Sequence, residues 1–284
     1  MNEKFIVIGS NGFIGKHFCK AIKPKYYTSR KDAPYHVDLK APSLDTIPTQ
    51  SIRYALITAA SANIAYCEKH PNETHQINVE GTLKLTKLLL EKGIFPILFS
   101  SDYVFSGKEG DYLEDSTVGP TTVYGSQKAE LESRIHDVSG GNHLILRLSK
   151  IYSLERGDGT LLDEMAKNLT EGLSLKAATD QIFCPLAIDD LVTVTLKLIE
   201  NNYKGLLNLG GKDKVSRFQL AEKVASTLDV SKGNVHPIQL NDLNPLISRP
   251  TNTSLISEKV FSLLDYTPIS IDHAIETVSN HYQE

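Results

Sequence analysis

Short apolar runs alternate with amphipathic stretches through the first 150 residues of the chain. Each run is too short for a helix, and the first is rich in β-branched residues, as is typical of a strand buried on both faces. The predicted strands cover residues 5–8, 26–28, 54–58, 97–99 and 144–148. Apolar positions at helical spacing predict helices at residues 13–22, 73–90 and 122–138. Because strands and helices alternate, we predict a doubly wound parallel α/β sheet with right-handed crossovers.

The second half of the chain has a less regular pattern. Extended segments are predicted at residues 180–188 and 206–209, and the stretch 235–253 is rich in Pro and Asn. Helices are predicted at residues 160–169, 189–199, 216–228, 255–264 and 271–281, the second capped by Asp189 and Asp190 and the third by a Ser216–Gln219 capping box. We therefore predict a regular domain over residues 1–153 and a smaller, irregular lobe over residues 154–284. A segment near residues 186–212 is expected to return to the first sheet.

Composition narrows the class of protein. Among 284 residues, 30 Lys and Arg stand against 34 Asp and Glu, which gives no electrostatic case for binding nucleic acid or an anionic membrane. The three cysteines (Cys19, Cys67 and Cys184) form no C-x-x-C pair and predict a reducing compartment without disulfides or zinc. No apolar run approaches the roughly 18 residues of a membrane span, and none forms a signal-peptide core. The expectation is a cytoplasmic protein, and the scattered histidines, His143 and His273 among them, predict no catalytic metal.

Three glycines follow the first predicted strand directly. Gly9, Gly12 and Gly15 form G-x-x-G-x-x-G at the mouth of a helix. In such a turn, one glycine permits the tight bend and another lets backbone N–H groups approach a pyrophosphate. The third lets the helix pack close to the strand, and the helix N-terminus adds partial positive charge. The alternative is an ordinary strand–helix turn. We predict a Rossmann dinucleotide-binding domain.

The end of the second predicted strand indicates which dinucleotide is bound. An NAD site usually places an acid about 20 residues after the glycines, where it holds the ribose hydroxyls. This chain has Ser29, Arg30 and Lys31 there, which suits the extra phosphate of NADPH. A solvated surface loop is the alternative. Asp38 and Leu39 are candidate contacts to the adenine, with a buried leucine beside a turn aspartate as the alternative. NADPH is therefore the expected cofactor, and NADH remains an alternative.

Tyr124 and Lys128 are four residues apart at the start of a predicted helix and share one face. A second Y-x-x-x-K pair, Tyr27 and Lys31, lies on the wrong element. Only the first pair has a serine, Ser101, just past the carboxyl end of the preceding strand, where ligands bind in such sheets. Hydride transfer to a ketone needs an acid and a second hydrogen-bond donor at oxygen. Tyr124 would be the acid, with its pKa lowered by Lys128 and an oxidised nicotinamide, and Ser101 the donor. A purely structural role for both helix residues is the alternative.

The motifs together carry a resemblance to a known family. Those used are Gly9–Gly15, Asn78–Thr82, Ser100–Phe105 and Tyr124–Lys128. In combination they resemble the extended short-chain dehydrogenase/reductase superfamily. The run from Phe99 to Gly107 is similar to the dTDP-4-dehydrorhamnose reductase branch, whose usual form reads S-T-D-Y-V-F-x-G. Weaker matches extend the resemblance over nearly the whole chain: Arg147 to Ser149, Tyr152, Asp180, Gln181, Pro185, Arg249 and Pro250.

The resemblance implies roles for individual residues. Ser101, Tyr124 and Lys128 would be catalytic, and Tyr124 and Lys128 would also touch the cofactor. The cofactor would be lined further by Gly9, Gly12, Phe13, Ile14, Gly15, Ala59 and Ala60. The substrate would contact Ser101, Asp102, Lys150 and Arg249. Asn78 would order the backbone of the active site, with an ordinary helix-interior asparagine as an equal alternative.

Two departures from the family pattern bear on the reaction. Related dehydratases carry Asp-Glu after the catalytic hydroxyl, whereas this chain has Asp102 and Tyr103, so simple reduction is favoured. The reductases commonly have Trp after the segment at Arg147, and this chain has Lys150 there and no Trp at all. Because that residue packs against the sugar, Lys150 leaves the identity of the sugar open and is compatible with a different hexose. A solvated loop lysine is the alternative.

The functional expectation is reduction of the 4-keto group of a nucleotide-linked deoxysugar by NADPH, in polysaccharide biosynthesis, with Tyr124 as proton donor. One alternative is a nucleotide-sugar 4-epimerase that retains NAD. Another is a non-catalytic NADP-binding regulatory protein of the same fold. The expected small-molecule partner is a nucleotide sugar, and a homodimer is compatible with the sequence. The 154–284 lobe would bind the substrate.

Overall fold

The computed structural model describes residues 2–29, 33–243 and 247–283. The chain divides into two compact units that are each built from several segments. Unit 1 comprises Met1–Val104, Thr122–Arg147 and Leu198–Leu206, and unit 2 comprises Phe105–Thr121, Leu148–Lys197 and Leu207–Glu284. The domain boundary at residue 153 remains a prediction.

A six-stranded sheet forms the centre of the α/β architecture. Its strands in chain order are β1 (Phe5–Ile8), β2 (Tyr26–Thr28), β3 (Tyr54–Ile57), β4 (Phe95–Ser101), β5 (Leu144–Leu148) and β10 (Gly205–Leu209). They lie in the order β10-β5-β4-β3-β1-β2. Strand β1 pairs in parallel with β2 and β3, and β3 pairs in parallel with β4. The five strands predicted from apolar runs are confirmed. From β1 the sheet continues through β3 and β4 on one side and through β2 on the other, as in a doubly wound sheet.

The helices of unit 1 are α1 (Phe13–Ile22), α2 (Ile64–Lys69), α3 (Pro71–His75), α4 (Thr82–Glu91) and α5 (Val123–Ser139), with 3-10 turns at Asn2–Lys4 and Asp102–Val104. The single helix predicted over residues 73–90 is α3 and α4 joined by a π-helical turn at Gln76–Gly81. In this turn the Thr82 hydroxyl donates to the carbonyl of Ile77, 3.0 Å away. A Cβ on Gly81 would lie 1.7 Å from the Leu39 carbonyl oxygen, so the turn passes close to another segment's backbone. Apolar spacing does not reveal a π turn, because the surplus residue is absorbed within one turn.

The core of unit 1 lies on the faces of the sheet. All four residues of β1 and all five of β5 are buried, as expected for strands covered on both faces. Helices α4 and α5 supply the opposing apolar side chains. Buried members of this core include Ile6, Ile8, Leu39, Ile57, Val79, Leu85, Leu89, Leu131, Ile135 and Ile145.

Unit 2 has shorter elements. Its strands are β6 (Ile151–Tyr152), β7 (Leu175–Ala178), β8 (Ile182–Phe183), β9 (Leu186–Ala187), β11 (Val215–Ser216) and β12 (Val235–Ile238). They form the two-stranded pairs β6–β9, β7–β12 and β8–β11. Its helices are α6 (Leu161–Thr170), α7 (Ile188–Glu200), α8 (Arg217–Thr227), α9 (Leu240–Leu243), α10 (Glu258–Leu264) and α11 (Ile271–Gln283), with a 3-10 turn at Lys232–Asn234. The residues of α7 after Lys197 are assigned to unit 1. A second apolar core forms between α6, α8 and α11.

The two predicted helix caps in unit 2 have different outcomes. The Ser216–Gln219 capping box is confirmed, since each side chain bonds the other's backbone N–H at 3.1 and 2.9 Å. The cap predicted at Asp189 and Asp190 is wrong, because α7 begins at Ile188 and both acids lie in its first turn. Asp190 is fully buried and accepts hydrogen bonds from the Tyr266 hydroxyl at 2.7 Å and the Ile269 N–H at 3.0 Å. The role of Asp190 is therefore set by these two partners outside α7 and not by helix capping.

No helix within the described residues is both long and apolar enough to cross a lipid bilayer.

Candidate active site

The glycine turn after β1 requires glycine at two positions for different reasons. Gly9 has φ +97°, and a Cβ there would lie 2.6 Å from the Ala59 backbone nitrogen. A Cβ on Gly15 would lie 2.2 Å from the Gly9 carbonyl oxygen, because α1 packs directly on the turn. Strand, turn and helix can therefore approach this closely only without side chains at these two positions.

The third glycine, Gly12, leaves the start of α1 open. It is the N-cap residue and has no side chain that could accept from the N–H groups of the first helical turn. A Cβ on Gly12 would have a single neighbour within 4 Å among the described residues, the Gly9 carbonyl oxygen at 3.4 Å. Open space beside uncapped N–H groups and the positive end of a helix dipole fits a pyrophosphate. The residues present thus fit a dinucleotide cofactor.

The other predicted cofactor residues of unit 1 are distributed around this turn. Ala59 follows β3 and its N–H donates to the Ile8 carbonyl at 2.9 Å. Ala59, Phe13 and Ile14 are partly exposed and Ala60 is exposed, so all four are accessible near the turn. Ser29 is buried at the end of β2, where its carbonyl oxygen lies 3.1 Å from the His36 Nδ1.

Two further pairs of predicted residues follow Ser29 in the sequence. Arg30 and Lys31 lie outside the described residues. Asp38 is exposed and its carboxylate accepts from the Lys40 N–H at 2.9 Å, which is a local turn contact. Leu39 is buried within the core of unit 1. These positions match the alternative of a buried leucine beside a turn aspartate, and the adenine contact stays a prediction.

Ser101 and Asp102 lie at the carboxyl end of β4. The Ser101 hydroxyl donates to the Asp102 Oδ1 at 3.0 Å and accepts from the Tyr103 N–H at 3.2 Å. Asp102 is buried and Ser101 is partly exposed. The serine hydroxyl is therefore oriented by two neighbours before any ligand binds.

Tyr124 and Lys128 project from the first turns of α5 toward this strand end. Thr122 caps the helix by accepting from the Gly125 N–H at 3.1 Å. The buried Lys128 donates from Nζ to the Phe99 carbonyl at 2.8 Å, and Nζ lies 5.8 Å from the centre of the Tyr124 ring. Ser101 is close enough to the Tyr124 phenol to lower its pKa. The structure thus brings together the three residues predicted to be catalytic.

Burial is the largest influence on the pKa values of this cluster. Burial raises the pKa of the Tyr124 phenol and the Asp102 carboxylate raises it further, while the nearby Ser101 hydroxyl opposes them. Burial also lowers the pKa of Lys128 to about 8, against a weaker opposing effect of Glu132. The expectation that Lys128 and an oxidised nicotinamide together lower the pKa of the phenol concerns the site with cofactor bound, and it stays a prediction. A raised pKa keeps the phenol protonated, as a proton donor must be.

Two buried amide side chains, those of Asn78 and Gln127, form a hydrogen bond beside the cluster, and only the first was predicted to have a role. Asn78, singled out through the resemblance, donates from Nδ2 to the Gln127 Oε1 at 2.8 Å. Gln127 was not predicted to have a role. The available signal was its place between Tyr124 and Lys128, one turn after the tyrosine on the inward side of the helix.

The remaining predicted substrate residues belong to unit 2. Lys150 is exposed, and its carbonyl accepts from the Leu186 N–H at 2.9 Å. Arg249 is partly exposed. Their contact with substrate stays a prediction.

Among the residues that the structure describes, one group brings three metal-ligating side chains together: His75, Glu80 and Glu130, with ligand atoms within 4.8 Å of one another. The Arg134 guanidinium donates to Glu80 at 2.6 Å and to Glu130 at 2.7 Å. A cation of the protein itself is thus already paired with both carboxylates.

A parallel sheet with a glycine turn after its first strand and a Ser–Tyr–Lys cluster at the end of a central strand defines a Rossmann-type protein of the short-chain dehydrogenase/reductase class. A family model, described as the RmlD substrate binding domain, matches residues 3–284. The chain belongs to this family, which confirms the resemblance drawn from the motifs.

Individual relatives are more distant. A dTDP-4-dehydrorhamnose reductase from Sinorhizobium fredii is 29% identical over 213 residues, 71% of each chain. The methionine adenosyltransferase 2 subunit beta of Bos taurus is 21% identical over 282 residues, 92% of this chain and 83% of that protein. The crystal structure of a dTDP-4-dehydrorhamnose reductase from Bacillus anthracis in complex with NADP has a TM-score of 0.83 at 22% identity, covering 99% of this chain and 100% of that one. The structural likeness confirms the fold.

Proposed function

We propose that this chain uses NADPH to reduce the 4-keto group of a nucleotide-linked deoxysugar of the dTDP-4-dehydro-6-deoxyhexose type. The observation that carries the proposal is the cluster of Ser101, Tyr124 and Lys128 at the end of β4, in the same unit as the glycine turn. Membership of the RmlD family and the reductase from Sinorhizobium fredii support the substrate class.

NADPH would supply the hydride that attacks the carbonyl carbon. The first turn of α1 after Gly12 would hold the pyrophosphate, and Phe13, Ile14 and Ala59 would line the nucleotide. Arg30 and Lys31, known from the sequence alone, would bind the extra phosphate.

Tyr124 would complete the reduction by donating its phenolic proton to the carbonyl oxygen as negative charge develops there. Its raised pKa keeps that proton in place until the oxygen becomes more basic. Ser101 would donate a second hydrogen bond to the same oxygen, which requires its hydroxyl to turn from the Asp102 carboxylate to the substrate. The phenolate would then regain a proton from solvent. Lys128, with a pKa of about 8, remains protonated at neutral pH and would stabilise that phenolate.

The test is a panel of dTDP-, GDP- and UDP-linked 4-keto sugars, assayed by loss of NADPH absorbance with the wild type and Tyr124→Phe. We expect the wild type to oxidise NADPH with at least one dTDP sugar. Tyr124→Phe should lose about 10²–10⁴-fold in kcat, because it keeps the ring and removes the proton. NADPH binding by the variant, measured by fluorescence, should be nearly unchanged. A wild type that oxidises NADPH with no member of the panel contradicts the proposal.

Two other functions remain as alternatives and give different results. A 4-epimerase would retain NAD, visible as stoichiometric nucleotide in the absorbance spectrum of the purified protein. A non-catalytic regulatory protein would bind NADPH without turnover; the similarity to an adenosyltransferase subunit beta from Bos taurus favours keeping this case. The Ser–Tyr–Lys cluster argues for turnover, because a binding protein needs none of its three functional groups.

The choice between NADPH and NADH is tested at Arg30. Arg30→Ala should raise the Kd for NADPH about tenfold and change that for NADH much less, because only NADPH carries the phosphate that a guanidinium grips. Equal losses for both cofactors would remove the assignment. The homodimer, the cytoplasmic location and the absence of a catalytic metal also stay predictions; sedimentation of the purified chain tests the first.

A further inference from the structure

Gln127 lies between the two predicted catalytic residues of α5, and all its N–H groups are used inside the protein. The residue is only 4% exposed. Nε2 donates to the Pro71 carbonyl at 3.1 Å and to the Thr74 Oγ1 at 2.9 Å. Oε1 accepts from the Asn78 Nδ2 at 2.8 Å. A buried amide with both donors and an acceptor satisfied has a single orientation.

Asn78 passes this orientation to the segment after β3. Its Oδ1 accepts from the Ser61 N–H at 2.8 Å, and its Nδ2 donates to the Ser61 carbonyl at 2.9 Å. The Ser61 carbonyl also accepts from the Cys67 thiol at 3.3 Å. Ser61 is two residues beyond Ala59, whose backbone touches the glycine turn. The two amides therefore connect α5 with the segment that would line the cofactor.

The direction of every bond in this chain is fixed by backbone groups at its two ends. The N–H of Ser61 can only donate and its carbonyl can only accept, so Asn78 must direct its amide nitrogen toward Gln127. The Pro71 carbonyl can only accept, so Gln127 must direct its own nitrogen away from Asn78. Thr74 agrees, because its hydroxyl hydrogen is directed to the His70 carbonyl at 3.0 Å and its oxygen is left to accept. Reversing either amide would place like groups face to face at both ends.

We propose that Gln127 is a positioning residue, which sets the Asn78 amide and through it holds the segment at residues 59–61 in register with Tyr124 and Lys128. The inference rests on the proposed function, since hydride transfer needs cofactor and proton donor within a few tenths of an ångström of their reactive geometry. Gln127 itself would touch neither cofactor nor substrate.

The experiment compares Gln127→Met, of similar length but without polar atoms, with Ser133→Met, a change at an exposed position of the same helix. Because the chain has no Trp, NADPH binding is followed by the fluorescence of the nucleotide itself. We expect Gln127→Met to raise the Kd for NADPH about fivefold and lower kcat about tenfold, with the KM for the sugar changed less than twofold. Ser133→Met should leave all three values unchanged.

A second variant keeps the proposal testable if Gln127→Met folds poorly. Gln127→Glu can accept from Asn78 in either protonation state, but it can donate toward Pro71 or Thr74 only when protonated. Its Kd for NADPH should therefore approach the wild-type value as the pH falls from about 8 to about 6, whereas the wild type shows no such recovery. A role limited to packing would not produce this pH dependence.

The outcomes separate this proposal from the proposed function. If the variants lower only the melting temperature, while the Kd for NADPH of the folded protein matches the wild type at both pH values, Gln127 is merely structural and the inference is wrong. If the wild type reduces no sugar nucleotide, the proposed function fails, and the two binding measurements still decide the role of Gln127. A double variant with Asn78→Ala should bind NADPH no more weakly than the weaker single variant, because both changes interrupt the same chain of bonds.

Discussion

Helix α5 carries short ion pairs on two sides, and the two sides differ in solvent exposure. On the buried side Arg147 donates to both carboxylate oxygens of Glu132 at 2.8–3.1 Å, with side chains 6% and 7% exposed. On the other side Arg134 bonds Glu80 at 2.6 Å and Glu130 at 2.7 Å, with all three side chains about 40% exposed. The distances are alike, so the difference between the two sets lies in their surroundings.

Exposure decides what each contact contributes. Water competes for the charges of Arg134 and its partners, so such pairs contribute little to stability. The Glu132–Arg147 pair has lost most of its hydration, and either partner alone would be an uncompensated buried charge. Glu132 is also one helical turn from Lys128 and raises its pKa against the effect of burial. On the buried side, Glu132 therefore affects both the stability of the protein and the protonation of Lys128 in the Ser–Tyr–Lys cluster.

The largest predicted effect follows from breaking the buried ion pair between Arg147 and Glu132. Arg147→Met should lower the free energy of unfolding by about 3–5 kcal/mol, because Glu132 would remain as a buried charge without its partner. Urea denaturation measures it. Adding Glu132→Leu should recover most of the loss, since the apolar pair buries no charge. A double variant less stable than Arg147→Met alone would show that the site depends on the ion pair itself.

A smaller effect on stability is expected from the titration of the buried Lys128, on the same side of α5 as the buried ion pair. The folded-state pKa of Lys128, about 8, lies below its ordinary value of 10.5. Between these values the unfolded chain still binds a proton that the native state has lost, so stability should rise with pH. The expected gain is about 2 kcal/mol between about pH 7 and about pH 9.5. Tyr124 does not oppose it there, because unfolded tyrosine titrates only near pH 10.

Urea unfolding of the wild type and Lys128→Met across this pH interval isolates the lysine's contribution. The variant should lack the rise, and the difference between the two proteins is the quantity to compare with the expected gain. Parallel pH profiles of the two proteins would mean that Lys128 keeps an ordinary pKa in the folded state.

The smallest effect concerns the exposed side of α5. Arg134→Ala should cost less than about 1 kcal/mol, and the cost should shrink further in about 1 M salt, because solvent and ions already screen these pairs. Thermal unfolding at low and high salt measures this change. A loss as large as that of Arg147→Met, or one independent of salt, would contradict the comparison.

Particular residues show how far sequence reasoning reached. The roles of Gly9 and Gly15 were predictable, because a tight turn and close helix packing require residues without side chains, and glycines at those positions are visible in the local sequence. The clustering of Ser101 with Tyr124 was predictable from topology, since the ends of parallel strands and the following helices meet at one edge of the sheet. The π turn at Gln76–Gly81 and the tertiary partners of Asp190 were not, because neither leaves a periodic pattern.

By itself, the sequence determined the alternation of buried strands and helices, the glycine turn and the residue types of the cluster, since each depends on contacts between near neighbours or on the regular period of an element. Only the tertiary structure decided the raised pKa of Tyr124, the lowered pKa of Lys128 and the amide chain through Gln127. Solvation and hydrogen-bond direction depend on which distant segments pack around a side chain, and no local pattern of residues records that packing.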